Sequence, residues 1–528
     1  MKSKLALVAL AAAGLSVAAP AGATTFRYAF QGDLNALDPY TLNETFSLGA
    51  IGNAMEGLTK RDKDLKIIPG LAERWEILTP TQWRFHLRKN VKFHDGSPFT
   101  ADDVVFSADR ARADGSQVKS RLPADAKAVK VDDNTVDFIL SSPNPILHYE
   151  WDTLYIFSKP WAEKVGATKP QSATSTSLSP WALTANGTGP FIIESHQPGV
   201  RTVFKPNPNW WGKKEHNLDE VIFTTIKSDA TRVAALLSGE IDMMDPVPVQ
   251  DVDRVKSNAA TTVLTGPELR TIFLNMDSFR DELLYSNVKS KNPFKDVRVR
   301  KAFYQAIDIE TIKTKVMRGM SAPSSILISP LLFARAGEIK RHPYDPDAAK
   351  KLLAEAGYPN GFEVSFDCPN DRYVNDEAIC QAVTAMLARI GVKVTLNAMP
   401  KAKYFEKAGP TPHKYDSSFN LLGWTPGSFD SWNVLENLTH CRDASGKGSL
   451  FNYGGYCNPK VDELHAKILV EIDTAKRDAM ILDAFKIIHE DAGLIPLHQQ
   501  ALVWGVSKKV KIAQRADNQI LLYWVVKD

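Results

Sequence analysis

The stretch PGLAERWEILTPTQWRFHLRKNVKFHDGSPFTADDVVFS, residues 69–107, sets a histidine beside an aspartate, with two more aspartates shortly after. Such a grouping can be catalytic or architectural, and its surroundings decide. Trp83, Phe85 and Leu87 alternate with polar neighbours, the period of a half-buried strand, and the strand ends near Phe93. Gly96 and Pro98 make the turn that follows. Thr100 with Asp103 three residues later is the capping-box start of a helix through ADDVVFSADRA. Asp102 and Asp103 then occupy the first helical turn, where the macrodipole favours negative charge. His94–Asp95 is left as a local hydrogen bond of the turn. The stretch is strand, turn and helix, and its acids are architecture.

The same alternation continues outward. PDAAKKLLAEAGYPNGF (346–362) is a short helix with Leu352 and Leu353 inward, Gly357 at its C-terminal cap and Pro359 just beyond. NDEAICQAVTAMLARIGVKVTL (375–396) puts Ile379, Val383, Met386, Leu387 and Ile390 on one helical stripe, then turns at Gly391 into a strand. Amphipathic helical regions also cover 296–319 and 458–493. The tail from Ile495 onward is strand-like, because Trp, Val, Ile and Tyr crowd short runs. Residues 166–190, rich in Ser, Thr, Ala, Gly and Pro, are expected to form surface loops at a subdomain border. The fold class is α/β with mixed sheets.

The 528 residues amount to about three domains' worth of chain. With 44% hydrophobic and 24% charged residues, the composition is that of a globular protein and excludes disorder. The net charge of +3 leaves no electrostatic footprint for nucleic acid or an anionic membrane. The start, MKSKLALVALAAAGLSVAAPAGATTF, has two lysines, an apolar run and small residues at Ala21-Gly22-Ala23. This layout predicts a signal peptide (1–23) cleaved after Ala23. Its apolar run is shorter than the roughly 20 residues that span a bilayer. The mature protein is therefore expected to be exported, soluble and periplasmic.

Export permits disulfides, and the four cysteines allow three connectivities. Two local pairs are the simplest, with Cys368 near Cys380 and Cys441 near Cys457. Neither spacing is that of a C-x-x-C zinc or redox motif, so these are structural staples. No H-E-x-x-H, G-x-S-x-G or P-loop occurs. Gly446-Lys447 ends a segment in which Cys441 stands where a P-loop needs glycine, and Ser116-x-x-Lys119 has no K-T-G to follow. The eleven histidines are scattered without ligand spacing. The expectation is a protein that is not an enzyme, with no catalytic residues, no metal and no cofactor.

Residues 69–107 resemble the signature region of extracellular solute-binding proteins of family 5, the dipeptide- and oligopeptide-binding class of ABC importers. Further segments match in order: ALDPYTLNETFSLGAIGNAMEGL (36–58), NGTGPFIIES (186–195), FKPNPNWWG (204–212), DVRVRKAFYQAID (296–308), LLAEAGYPNGF (352–362) and NYGGYCNPKVDEL (452–464). The resemblance implies a two-lobed periplasmic binding protein fold, a hinge between the lobes and an extra domain II. Domain I would combine 24–58, 186–275 and 493–528; domain II would be 59–185; domain III would be 276–492. The crossings should fall near 273–278 and 492–500. The function implied is capture of a peptide or peptide-like solute in the interlobe cleft by a monomer, and its delivery to an inner-membrane ABC permease. Family 5 also includes carriers of nickel chelates, haem, glutathione, opines and oligosaccharides, and chaperone-like binding of unfolded peptides is a third reading. The resemblance also supports Cys441–Cys457, since a family cysteine closely precedes an Asn-Pro or Lys-Pro helix start.

A peptide's ammonium needs a buried carboxylate, and its carboxylate needs Arg, Lys or a helix N-terminus. In peptide-binding relatives a Gly-Trp turn in domain III precedes an aspartate that pairs with the ligand's ammonium. Here LLGWTPGSFDSWNVLENLTHC (421–441) has Gly423-Trp424 in the matching place, but Gly427 where that aspartate falls. The next acid is Asp430, which either replaces it or leaves a ligand without a free α-ammonium. Trp424 and Trp432 are the aromatic wall candidates. Arg372 in NDRYVNDE (370–377) matches the place where relatives offer an arginine to the ligand carboxylate. Phe46 lies in the segment matching the family's lobe-one contacts.

Overall fold

The computed structural model describes residues 23–173, 175, 177–409, 415–442, 449 and 451–528. The expected leader (residues 1–22 of it) and Gly446-Lys447 lie outside the described residues. One mixed sheet of eleven strands runs through both lobes. In lobe one, Thr25–Phe30 lies parallel to Glu220–Thr225 and Met243–Asp245, with Arg201–Pro206 and Phe191–Gln197 completing that side antiparallel. In lobe two, Phe419–Trp424 is followed by Glu363–Pro369, which lies parallel to Lys393–Met399. Two long antiparallel strands, Thr261–Met276 and Leu494–Ser507, join the halves. They pair along nearly their whole length, but the register breaks between Pro267 and Thr271. There three residues, Glu268, Leu269 and Arg270, stand opposite the single Gln500. Residues before the break pair within lobe one, and Thr271–Met276 pairs with lobe-two Phe419–Trp424. A bulge of this kind bends and twists a strand.

A separate antiparallel sheet holds Ala72–Thr79, Gln82–Leu87, Thr135–Ile139 and Lys127–Asp132. Trp83, Phe85 and Leu87 are buried as their alternation predicts. The following helix is Ala101–Arg112, and both hydrogen bonds of the Thr100/Asp103 capping box are present. His94 does not bond Asp95. Its Nε2 lies 3.2 Å from the Gly189 carbonyl oxygen and its Nδ1 accepts from the Gly187 N–H, while Asp95 accepts from Ser97. His94 thus ties the turn to a segment about ninety residues away. Gly187 is required there, since a Cβ would stand 2.0 Å from the Ala54 carbonyl oxygen. Leu37, Tyr40, Ile51, Met55 and Leu58 pack into one core with residues 71–157, so the inserted sheet and its support form one body.

Helices Pro346–Glu355 and Asp376–Ala388 form where expected, and Ile379, Val383, Met386, Leu387 and Ile390 are all buried. The region 458–493 divides into Pro459–Val470 and Thr474–Glu490. The end of the tail corrects its reading as strand: Leu522–Trp524 is a 3-10 turn and only Val526–Lys527 pairs. Its apolar side chains instead plug the lobe-one core through Leu522 and Val525. Cys368–Cys380 and Cys441–Cys457 are both disulfide-bonded, the two local pairs expected.

Candidate functional site: the interlobe cleft

Between the lobes lies a pocket with about 570 Å³ of space free of atoms, part of it open to solvent. Lobe one contributes Phe30, Phe46 and Asp245, the crossing strands Arg270 and Gln500, and lobe two Arg372. Phe46 sits at the start of helix Thr45–Ile51, which Glu44 caps by accepting from Ser47 N–H. Its ring stacks on Phe30 with centroids 4.0 Å apart, giving the pocket a half-buried aromatic wall.

Asp245 ends its strand beside Phe30 and is buried. Asn518 donates to its Oδ2 at 3.1 Å and is itself held by Trp504 Nε1 at 2.9 Å. Burial, and then the nearby charge of Glu268, push the Asp245 carboxyl up to about 7. Glu268 projects from the bulge. Burial raises its pKa too, opposed by Arg270, whose Nη1 is 3.0 Å from Oε1. Its second oxygen, Oε2, is buried without a hydrogen-bond partner, as is Gln500 Oε1.

On the lobe-two side, the Arg372 and Tyr373 N–H groups both donate to Asp376 Oδ2 at 2.9 Å, which clamps the loop. The half-buried Arg372 guanidinium lies over the Tyr373 ring at 5.1 Å, and no ion pair engages it among the described residues. Trp424 ends its strand opposite Thr271, one residue past the bulge. Its Nε1 donates to Asn433 Oδ1 at 3.1 Å and its ring packs against Phe451. Gly423 lets Tyr373 close in, because a Cβ would be 2.7 Å from that ring.

Asp430 is placed differently. Both its oxygens accept from Arg477, at 2.8 and 2.7 Å, and Oδ1 also caps helix Ser431–Leu438 by accepting from Trp432 N–H. Its charge is already neutralised within its own lobe. Trp432 stacks on His465 with centroids 5.2 Å apart. The structure therefore gathers Phe46 and Arg372 in the pocket lining and places Trp424, next to the bulge, together with Asp430 and Trp432 outside it.

A second interlobe contact reaches the same loop. Arg61 of lobe one, held by Asp152 at 2.6 Å, donates to the Ser428 carbonyl oxygen at 3.1 Å and lies 4.3 Å over the Phe429 ring. Asp245, Glu268, Arg270 and Gln500 were not singled out from the sequence. One signal was available: Gly266-Pro267 interrupts an otherwise strand-like run just before a Glu-x-Arg pair.

Two lobes on two crossing strands, with a pocket between them that carries both charge signs and an aromatic wall, define a clamshell binding protein. The chain belongs to the bacterial extracellular solute-binding proteins, family 5, whose middle-region pattern matches residues 66–446. It is 28% identical over 537 residues to the dipeptide-binding protein of Escherichia coli (strain K12), covering 97% of this chain and 96% of that one. It is also 28% identical over 471 residues to heme-binding protein A of Haemophilus influenzae, covering 84% and 81%. A solved ABC transporter-associated periplasmic binding protein from Helicobacter pylori, in complex with the peptide STSA, superposes with a TM-score of 0.80 at 25% identity. That superposition covers 95% of this chain and 98% of the other. The resemblance seen in residues 69–107 and the two-lobed fold are both borne out.

Proposed function

We propose that the protein, exported to the periplasm, binds a peptide or peptide-like solute in the interlobe cleft and delivers it to an inner-membrane ABC permease. The observation that carries this reading is the charge arrangement of the pocket. Asp245, a buried carboxylate in the lobe-one lining with the Glu268–Arg270 pair behind it, suits an ammonium; Arg372, free of any ion pair among the described residues, suits a carboxylate. Phe46, stacked on Phe30, walls the space between them. In this reading Asp430 organises the lobe-two loop, and the ammonium role expected of it passes to Asp245. Closure brings the ligand's two ends to opposite lobes, so the ligand favours the closed state by contacts that the open state lacks. Domains I and II move as one lobe because they share a core, and domain III moves against them about the bulge at 268–270.

The relatives' named ligands include both dipeptide and heme. No His, Cys, Met or Tyr stands among the described residues lining the pocket. Since these are the side chains that hold haem iron, the lining supports the peptide reading. Calorimetric titration with free dipeptides and tripeptides beside their N-acetylated and C-amidated counterparts tests it. One-to-one binding that both blocking groups weaken is expected. Equal affinity for free and blocked peptides overturns the reading.

A further inference from the structure

Outside the cleft, helix Ser431–Leu438 and helix Pro459–Val470 face each other in lobe two. Glu436 and His440 stand four residues apart, with His440 in the turn just past the first helix; His465 comes from the middle of the second. One ligand atom from each lies within 4.8 Å of the other two. His465 is only 7% exposed, and its Nε2 stands 2.9 Å from Glu436 Oε2. His440 Nδ1 is 3.3 Å from Asp462 Oδ1, which leaves its Nε2 as the ligand atom it can offer. Two imidazoles and a carboxylate thus converge from two elements of lobe two.

We propose that Glu436, His440 and His465 form a binding site for a late first-row divalent cation of the Zn²⁺ class, separate from the solute cleft. Imidazole and carboxylate are the donors that suit such ions. At metal–ligand bonds of about 2.0–2.1 Å, tetrahedral ligand atoms stand about 3.3 Å apart. The three atoms need only modest adjustment to reach that spacing. Glu436 and His465, now at 2.9 Å, would open slightly, and the wider separations would close. Asp462 is positioned to orient the His440 ring, the outer-shell role a carboxylate takes at histidine-ligated metals.

The frame is also pre-assembled. Cys441 follows His440 directly, and its partner Cys457 immediately precedes the cap of the helix that carries His465. The disulfide therefore clamps the two ligand-bearing elements together. The Trp432 ring, stacked at 14° on His465, fixes that imidazole's plane from one side. The site would join two helices of lobe two without entering the cleft.

The test is a Zn²⁺ titration of untagged, chelator-stripped mature protein against a chromophoric competitor, with Co²⁺ absorption as a readout of coordination. One ion per chain is expected. Glu436→Gln and His440→Ala, both at half-buried positions, should each weaken it by about 100-fold or more, since even outer-shell changes cost about 10- to 100-fold. His342, which stacks on His489 elsewhere in lobe two, is the control; His342→Ala should bind as the parent does. Melting temperatures of the unloaded variants show that each is folded. The proposal is overturned if the parent binds no Zn²⁺ tighter than about 100 μM. It is also overturned if Glu436→Gln and His440→Ala bind like the parent, or if only His342→Ala loses the ion.

Discussion

Asp245→Asn separates the cost of the cleft from its use. The Asp245 carboxyl is raised from 3.8 to about 7, chiefly by burial and then by Glu268. The folded state therefore holds a proton that the unfolded chain gives up near pH 4. Between pH 4 and 7 the folded state binds more protons, so stability falls as pH rises and the penalty is complete above pH 7. A shift of about three pH units at 1.36 kcal/mol each makes that penalty roughly 4 kcal/mol at pH 8. Asparagine keeps the size and an acceptor for Asn518 but carries no charge. The unliganded variant should thus melt several degrees above the parent at pH 8 and close to it at pH 4. Binding moves the other way. Without its carboxylate the cleft should lose about 2–4 kcal/mol for a cationic ligand end, a loss of roughly 30- to 1,000-fold. In the parent, affinity should fall about tenfold per pH unit below pH 7, because the ligand must displace the proton. Calorimetry and thermal melts at pH 4, 6 and 8 measure both. A variant that is less stable than the parent at pH 8, or that binds equally well, refutes the reasoning.

Four further outcomes follow from the geometry. Arg372→Gln should weaken binding of a free peptide by about 2–3 kcal/mol, less than for a fully buried pair because the guanidinium is half-buried, and leave C-amidated peptide almost unaffected in calorimetry. Asp430→Asn should cost about 3–5 kcal/mol of stability, because Arg477 is left buried and unpaired; denaturant unfolding measures this, and a loss of affinity without loss of stability contradicts it. Phe429→Ala removes the ring beneath Arg61, and should loosen closure by about 1 kcal/mol, read as a faster ligand off-rate in stopped flow. Denatured, unreduced protein should show no titratable thiol, and each disulfide, closing a loop of 12 or 16 residues, should contribute about 3 kcal/mol of stability.

Much of this architecture is legible in the amino-acid sequence. Periodicity and caps place the strand at Trp83–Leu87, the capping box at Thr100 and Asp103, and the buried stripe of Ile379–Ile390, because each depends on residues within a turn or two. The disulfides are legible for the same reason: their partners are near in sequence. His94 is not, because its partners at Gly187 and Gly189 are distant and present only backbone atoms. Family position marks the loop that carries Asp430, but not the fate of its charge, which depends on Arg477, 47 residues on. The cleft carboxylates are hidden because Asp245 and Glu268 lie on separate strands that meet only when the lobe-one sheet is complete. The Glu436, His440 and His465 grouping shows how the i, i+4 spacing of the first two goes unremarked until a second helix supplies the third ligand.

The most direct test of the central claim is mass spectrometry of the small molecule released from protein purified natively, without added ligand. The charge arrangement of Asp245, Glu268 and Arg372 predicts one bound molecule per chain, a short peptide or amino-acid derivative with both a free cationic and a free anionic end. A neutral oligosaccharide, or a molecule carrying no ammonium-type group, would contradict it.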